Sequence, residues 1–166
     1  MTFRLDENLI TTLRSESERQ YLSLNTMVNL IIQRFVEWDM YESKLGMVSF
    51  LRPVVVELLK QMTGQEVIAL ARGIGKRATN DAALFMKNKM DLDSFLSWLE
   101  VGMRYSCVEI KHNVDDNTQT YILKHELGLN YSLFYKTIVE SIFNDILGKH
   151  IDCSYSDSML SFKVTI

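Results

Sequence analysis

Apolar positions along this chain first recur at every second residue and then at every third or fourth. Met1, Phe3 and Leu5 alternate with Thr2 and Arg4, the period of a half-buried strand. Asp6 follows as a helix N-cap, with Glu7 in the first turn where the helix dipole favours an anion. Leu9, Ile10 and Leu13 form the narrow apolar stripe of a first helix, and residues 14–20 are polar. Ser23 then reads as the cap of a second helix. In it Leu24, Val28, Ile31 and Phe35 recur at helical spacing, widened by Met27, Ile32 and Val36. That helix is apolar around more than half its circumference, which one neighbouring helix does not cover. A homodimer would bury the excess.

Residues 39–46 read as a boundary without a low-complexity linker, crossed by a continuing helix. Beyond it, Pro53 suits the first turn of a helix ending near Met62, and Thr63 or Gly64 punctuates. Helices are expected over 65–76, 81–87 and 92–104, the last capped by Asp91 or Asp93. The period then changes to two. Strands over 106–113 and 119–126 flank the Asp115-Asp116-Asn117 turn, a helix runs over 131–147 to Gly148, and a second hairpin covers 151–155 and 159–165. The expected fold class is mixed. A strand and two helices over 1–44 precede an α+β domain over 45–166, in which three or four helices lead into a ββ-α-ββ antiparallel sheet.

Composition narrows the class without naming a chemistry. An apolar fraction of 47% with 23% charged residues over 166 positions fits a folded domain and argues against disorder. No apolar run reaches the length of a membrane span, and the N-terminus lacks the basic flank and apolar core of a secretory signal. The two cysteines, Cys107 and Cys153, show no framework spacing, so a reducing, cytoplasmic setting is expected. Net charge is −3; residues 1–44 carry five basic and seven acidic side chains, a local −2. Any affinity for nucleic acid must therefore come from local placement rather than from the summed field.

Two runs in the first forty residues carry a resemblance. Thr2-Phe3-Arg4-Leu5-Asp6-Glu7, with Leu9 and Leu13, then Ser23-Leu24-Asn25-Thr26-Met27-Val28-Asn29, resembles the ribbon-helix-helix (Arc/MetJ-like) superfamily of dimeric DNA-binding proteins. The resemblance covers a quarter of the chain and implies a homodimer whose paired N-terminal strands enter the major groove of double-stranded DNA. It implies base contacts from Thr2 and Arg4. Phosphate contacts would come from the helix start Ser23, Leu24 and Asn25, and the dimer core from Phe3, Leu5, Leu9, Leu13, Val28, Ile31 and Phe35. Two departures stand out. The strand begins almost at Met1, leaving two groove-facing side chains, and Tyr21 occupies the turn where the family carries glycine.

The function expected is a sequence-specific transcriptional regulator, not an enzyme. Residues 45–166 would sense a small-molecule effector or set higher oligomerisation, such as a tetramer. A second reading keeps the N-terminal segment for dimerisation alone and gives the C-terminal domain a protein partner. A metal-responsive regulator is the third, from Cys107, His112, His125, His150 and Cys153. No pair of these shows a strong ligand spacing, and ordinary histidines and a buried structural cysteine are the plainer reading, with no metal site or cofactor assigned. Arg72, Lys76, Arg77, Lys87 and Lys89 form the densest basic cluster, read first as a solvated helix face. Gly73 and Gly75 imitate a phosphate-loop spacing but follow a helical pattern, and read as a helix end. Asn130 or Ser132 is expected to cap the helix after Gly128, beside His125; the aromatics Trp98, Tyr105, Tyr121, Phe134, Tyr135 and Phe143 read as core.

Overall fold

A computed structural model describes residues 4–165, which divide between Gly46 and Met47 into two compact units. In the first unit α1 (Glu7–Arg19) starts where Asp6 accepts a hydrogen bond from Asn8 N–H at 2.8 Å. The second helix, α2 (Leu24–Arg34), starts where Ser23 Oγ accepts from Thr26 N–H at 3.0 Å. It continues through a π turn, Phe35–Asp39, into α3 (Met40–Leu45) and stops at Gly46, whose φ of 69° is left-handed.

The expected N-terminal strand is corrected here. Residues 4–6 lead into α1 without joining a strand, and the N-terminal half of the chain is helical among the described residues. Thr2 and Phe3, on which that strand also depended, lie outside the described residues. Alternation in a five-residue segment states only which side chains share a face. A strand needs a neighbour for its backbone N–H and C=O groups, and no strand among the described residues pairs with residues 4–6.

The second unit builds a helical layer and then a sheet. Its first helix, α4 (Arg52–Lys60), carries Pro53 in its first turn, and α5 (Gly64–Leu70) opens with a capping box between Thr63 and Glu66. The run then continues through a π turn, Ala71–Gly75, into α6 (Lys76–Lys87). Gly73 and Gly75 therefore do not end a helix as their spacing suggested. Gly75 is a contact point: a Cβ built there would stand 3.0 Å from Ile138 Cδ1 and 3.0 Å from Phe134 Cζ. Next comes α7 (Leu92–Arg104), where Asp91 accepts from Ser94 N–H at 2.9 Å.

Strands β1 (Glu109–Asp115) and β2 (Thr118–Lys124) form the first hairpin, and β3 (Asp152–Tyr155) and β4 (Met159–Thr165) the second. Between them runs α8 (Leu129–Asp145). The four strands pair antiparallel in the order β1-β2-β4-β3, so β4 returns beside β2. One sheet face is buried through Tyr121, Leu123, Leu160, Phe162 and Val164. Phe143 of α8 meets Phe162 at 6.0 Å between ring centroids and Phe95 of α7 at 5.8 Å, joining sheet, α8 and α7 in one core. Trp98 lies in this core, and its indole N–H has no hydrogen-bond partner among the described residues.

Because the helix run touches α8 at Gly75, adding bulk there should separate the two. Gly75→Val is expected to destabilise the protein by about 1–3 kcal/mol in urea unfolding, with Gly75→Ala costing less; an unchanged midpoint for the valine variant would remove the close contact from the account.

Candidate dimerisation and DNA-contact surface

The N-terminal unit buries little of its own apolar surface. Met27 is its one buried apolar residue among those described, with Ser17 the buried polar one. Along the α2 run, Leu30, Ile31, Ile32, Phe35 and Val36 remain between 46% and 56% exposed. Ile31 and Phe35 stand four apart, as do Ile32 and Val36, so these four form a band rather than scattered points. On α1, Leu9 is 59% exposed and Leu13 half-buried; Leu5 ahead of it is also exposed, and Val28 on α2 is half-buried. The structure thus brings the proposed dimer-core residues Leu5, Leu9, Leu13, Val28, Ile31 and Phe35 into one helical unit that leaves most of them in water. Leu30 is exposed too, but on the polar side of the helix, with Gln33 and Arg34 three and four residues on.

The residues assigned to DNA lie at the start of this unit and at the start of α2. Arg4 is exposed, and Thr2 falls outside the described residues. Ser23 and Asn25 are exposed and Leu24 is half-buried. Ser23 Oγ is occupied with Thr26, which leaves the N–H groups of Leu24 and Asn25 at the helix start without an intrahelical acceptor. Just before them Tyr21 holds a φ of +56° with its side chain 96% exposed. The chain keeps the left-handed turn that suits glycine and bears its steric cost with a tyrosine, about 1–2 kcal/mol for an L residue.

The other candidate chemistry is distributed, not assembled. Among the described residues no three His, Cys, Asp or Glu side chains come together as a metal site. His112 Nδ1 lies 2.9 Å from Glu100 Oε1 and its ring stacks on Tyr121. Cys107 is exposed; Cys153 is half-buried, and burial pushes its thiol up to about 12. His125 and Ser132 do meet, Nε2 to Oγ at 2.8 Å, inside the turn from β2 to α8. They are not a base and its nucleophile. Leu127 N–H donates to His125 Nδ1 at 3.2 Å, which puts the imidazole proton on Nε2, donating to the fully buried serine.

This joint also replaces the expected cap. Gly128, with φ +84°, takes the N-cap position of α8 and offers no side chain, while Asn130 turns away from α8. Its amide donates to the carbonyls of Leu59 and Met62, both at 2.8 Å, and so satisfies the end of α4. The basic cluster separates too. Lys76 pairs with Asp145 across to α8, and Lys89 pairs with Asp91.

Comparison of the chain with protein-family models, curated proteins and solved structures finds no match.

Burial holds the His125 imidazole below its ordinary value of 6.5, so the folded protein keeps it neutral where the unfolded chain takes up a proton. Stability should therefore fall as the pH drops below about 6.5, until the lowered folded value is reached. His125→Gln, which retains a donor toward Ser132, should flatten the thermal midpoint against pH over that window; an unaltered slope would locate the acid sensitivity elsewhere.

Proposed function

We propose that this protein is a homodimeric DNA-binding transcriptional regulator. Its N-terminal unit supplies the dimer contact, and residues 47–166 sense a small-molecule effector or set higher oligomerisation. The carrying observation is the exposed apolar band Ile31, Ile32, Phe35 and Val36, which a second copy would cover. Pairing of two such units sets two α2 N-termini at a fixed separation, where the N–H groups of Leu24 and Asn25 suit phosphate oxygens. Arg4 is exposed, and its guanidinium adds charge and five donors to the contact. Of the features that carried the resemblance to ribbon-helix-helix proteins, the helix starts at Asp6 and Ser23 support the same reading, and the strand does not enter it. A cytoplasmic location accompanies it; no helix among the described residues is long and apolar enough to cross a membrane.

One observation favours a second reading. The local charge of −2 over residues 1–44 opposes a polyanion, and it suits a unit that dimerises only, leaving residues 47–166 to bind a protein partner.

Duplex DNA enriched from a random pool on the immobilised protein separates the two. Under the first reading the wild type retains duplex with a steep loss of affinity as salt rises. Arg4→Ala weakens retention and makes the slope of log affinity against log salt shallower by about 0.9 for each phosphate no longer neutralised. Dimers that retain no DNA, or retention that ignores salt and Arg4, would overturn it in favour of the partner reading.

A further inference from the structure

The π turn Ala71–Gly75 and α8 enclose a groove of about 410 Å³ lying wholly within the second unit. Ile68, Arg72 and Lys76 line one wall at four-residue steps. Residues of α8 line the other, among them Leu133, Thr137, Glu140 and Ser141. Two of the groove's cations are already neutralised. Lys76 Nζ donates to Asp145 Oδ2 at 2.6 Å, and Lys136 Nζ donates to both Glu140 carboxylate oxygens at 2.6 and 2.7 Å. Arg72 has no ion pair among the described residues. Three cations against two anions leave one positive charge, and it sits on the guanidinium.

The hydroxyls of the opposite wall have a fixed polarity. Thr137 Oγ1 donates its proton to Leu133 C=O at 2.7 Å, and Ser141 Oγ donates to Thr137 C=O at 2.7 Å. What these two oxygens have left to offer is lone pairs, so they accept hydrogen bonds and do not supply them. At the end marked by Ile68 and Leu133 the wall is apolar. The lining therefore asks for a ligand with one negative charge, at least one hydroxyl donor and a short aliphatic portion. Arg72 stands in the π turn, beside the close approach of Gly75 to Ile138 and Phe134. Single π turns inside helices recur at functional sites because they turn one residue out of the regular ladder.

We infer that this groove binds a small mono-anionic hydroxycarboxylate, its carboxylate on the Arg72 guanidinium and its hydroxyl donating to Thr137 or Ser141. A fork of parallel N–H groups matches a carboxylate in two bonds. A dianion such as phosphate brings one charge too many to a site that also holds Glu140 and Asp145. Binding is read on the protein without DNA, so its failure is separate from a failure to retain operator; the regulatory sense of the site rests on the effector role proposed above.

The test titrates 3-hydroxybutyrate into the full chain at constant ionic strength and follows backbone amide shifts, with butyrate and inorganic phosphate as comparison probes. Expected are saturable shifts centred on Arg72, Thr137 and Ser141, tighter for the hydroxy acid than for either comparison. Arg72→Gln should weaken binding about tenfold or more, and Arg72→Lys less, with both variants retaining the wild-type spectrum elsewhere. Shifts that fail to saturate, equal or tighter binding of butyrate or phosphate, or an Arg72→Gln variant that binds as well as wild type would each overturn the assignment.

Discussion

The constraint on which the N-terminal unit depends is the cost of leaving apolar helix surface in water. A unit of this size has too little interior to bury both faces of α2, and Met27 alone of its described apolar side chains is buried. Covering a half-exposed Leu, Ile, Phe or Val contributes about 1 kcal/mol, half of what full burial of such a side chain is worth. The four residues of the exposed band, counted on two copies, bring this to about 8 kcal/mol, the order of the cost of association itself, about 4–15 kcal/mol. Against the lower end of that cost a few kcal/mol remain, the strength of a weak dimer that responds to concentration, and the band is the element whose removal has the largest consequence.

The second unit solves the same problem within one chain. Its sheet buries one face, α8 lies on that face, and α7 closes the core through Phe95. Polar groups hold the joints where elements change direction. Asn130 satisfies the end of α4, and His125 is locked between Leu127 N–H and Ser132 in the turn that starts α8. These interactions fix the α8 face that lines the groove opposite Arg72. The path from sequence to candidate ligand site therefore runs through a glycine contact, a π turn and a glycine-capped helix rather than through any recognisable motif.

Elements whose signal is local were legible in the sequence. Asp6, Ser23 and Asp91 each announced a helix start, and the two hairpins followed from alternation around turn residues, with the first found one to three residues from its expected bounds. What failed was whatever needs a second segment to define it. The alternation of Met1, Phe3 and Leu5 specified a face but no pairing partner, and residues 4–6 form no strand. Glycine at 73 and 75 imitated a helix end because composition does not reveal that α8 passes close to Gly75. Ser132 and Asn130 were legible as polar residues near a helix start, but their partners lie at His125 and at the end of α4. The groove was hidden for the same reason: Arg72 and Lys76 showed as a basic face, and only the fold sets Asp145 beside one of them.

Sedimentation equilibrium of the wild type beside an Ile31→Asp, Phe35→Asp double variant tests the dimer claim most directly. Both positions are about half exposed in the single chain, so a lone copy tolerates the charges and a covered interface does not. The account predicts a wild-type dimer and a variant that sediments as a monomer while keeping its helical circular dichroism. A wild type that is monomeric at the highest concentration reached, or a variant that dimerises as strongly as wild type, would contradict it.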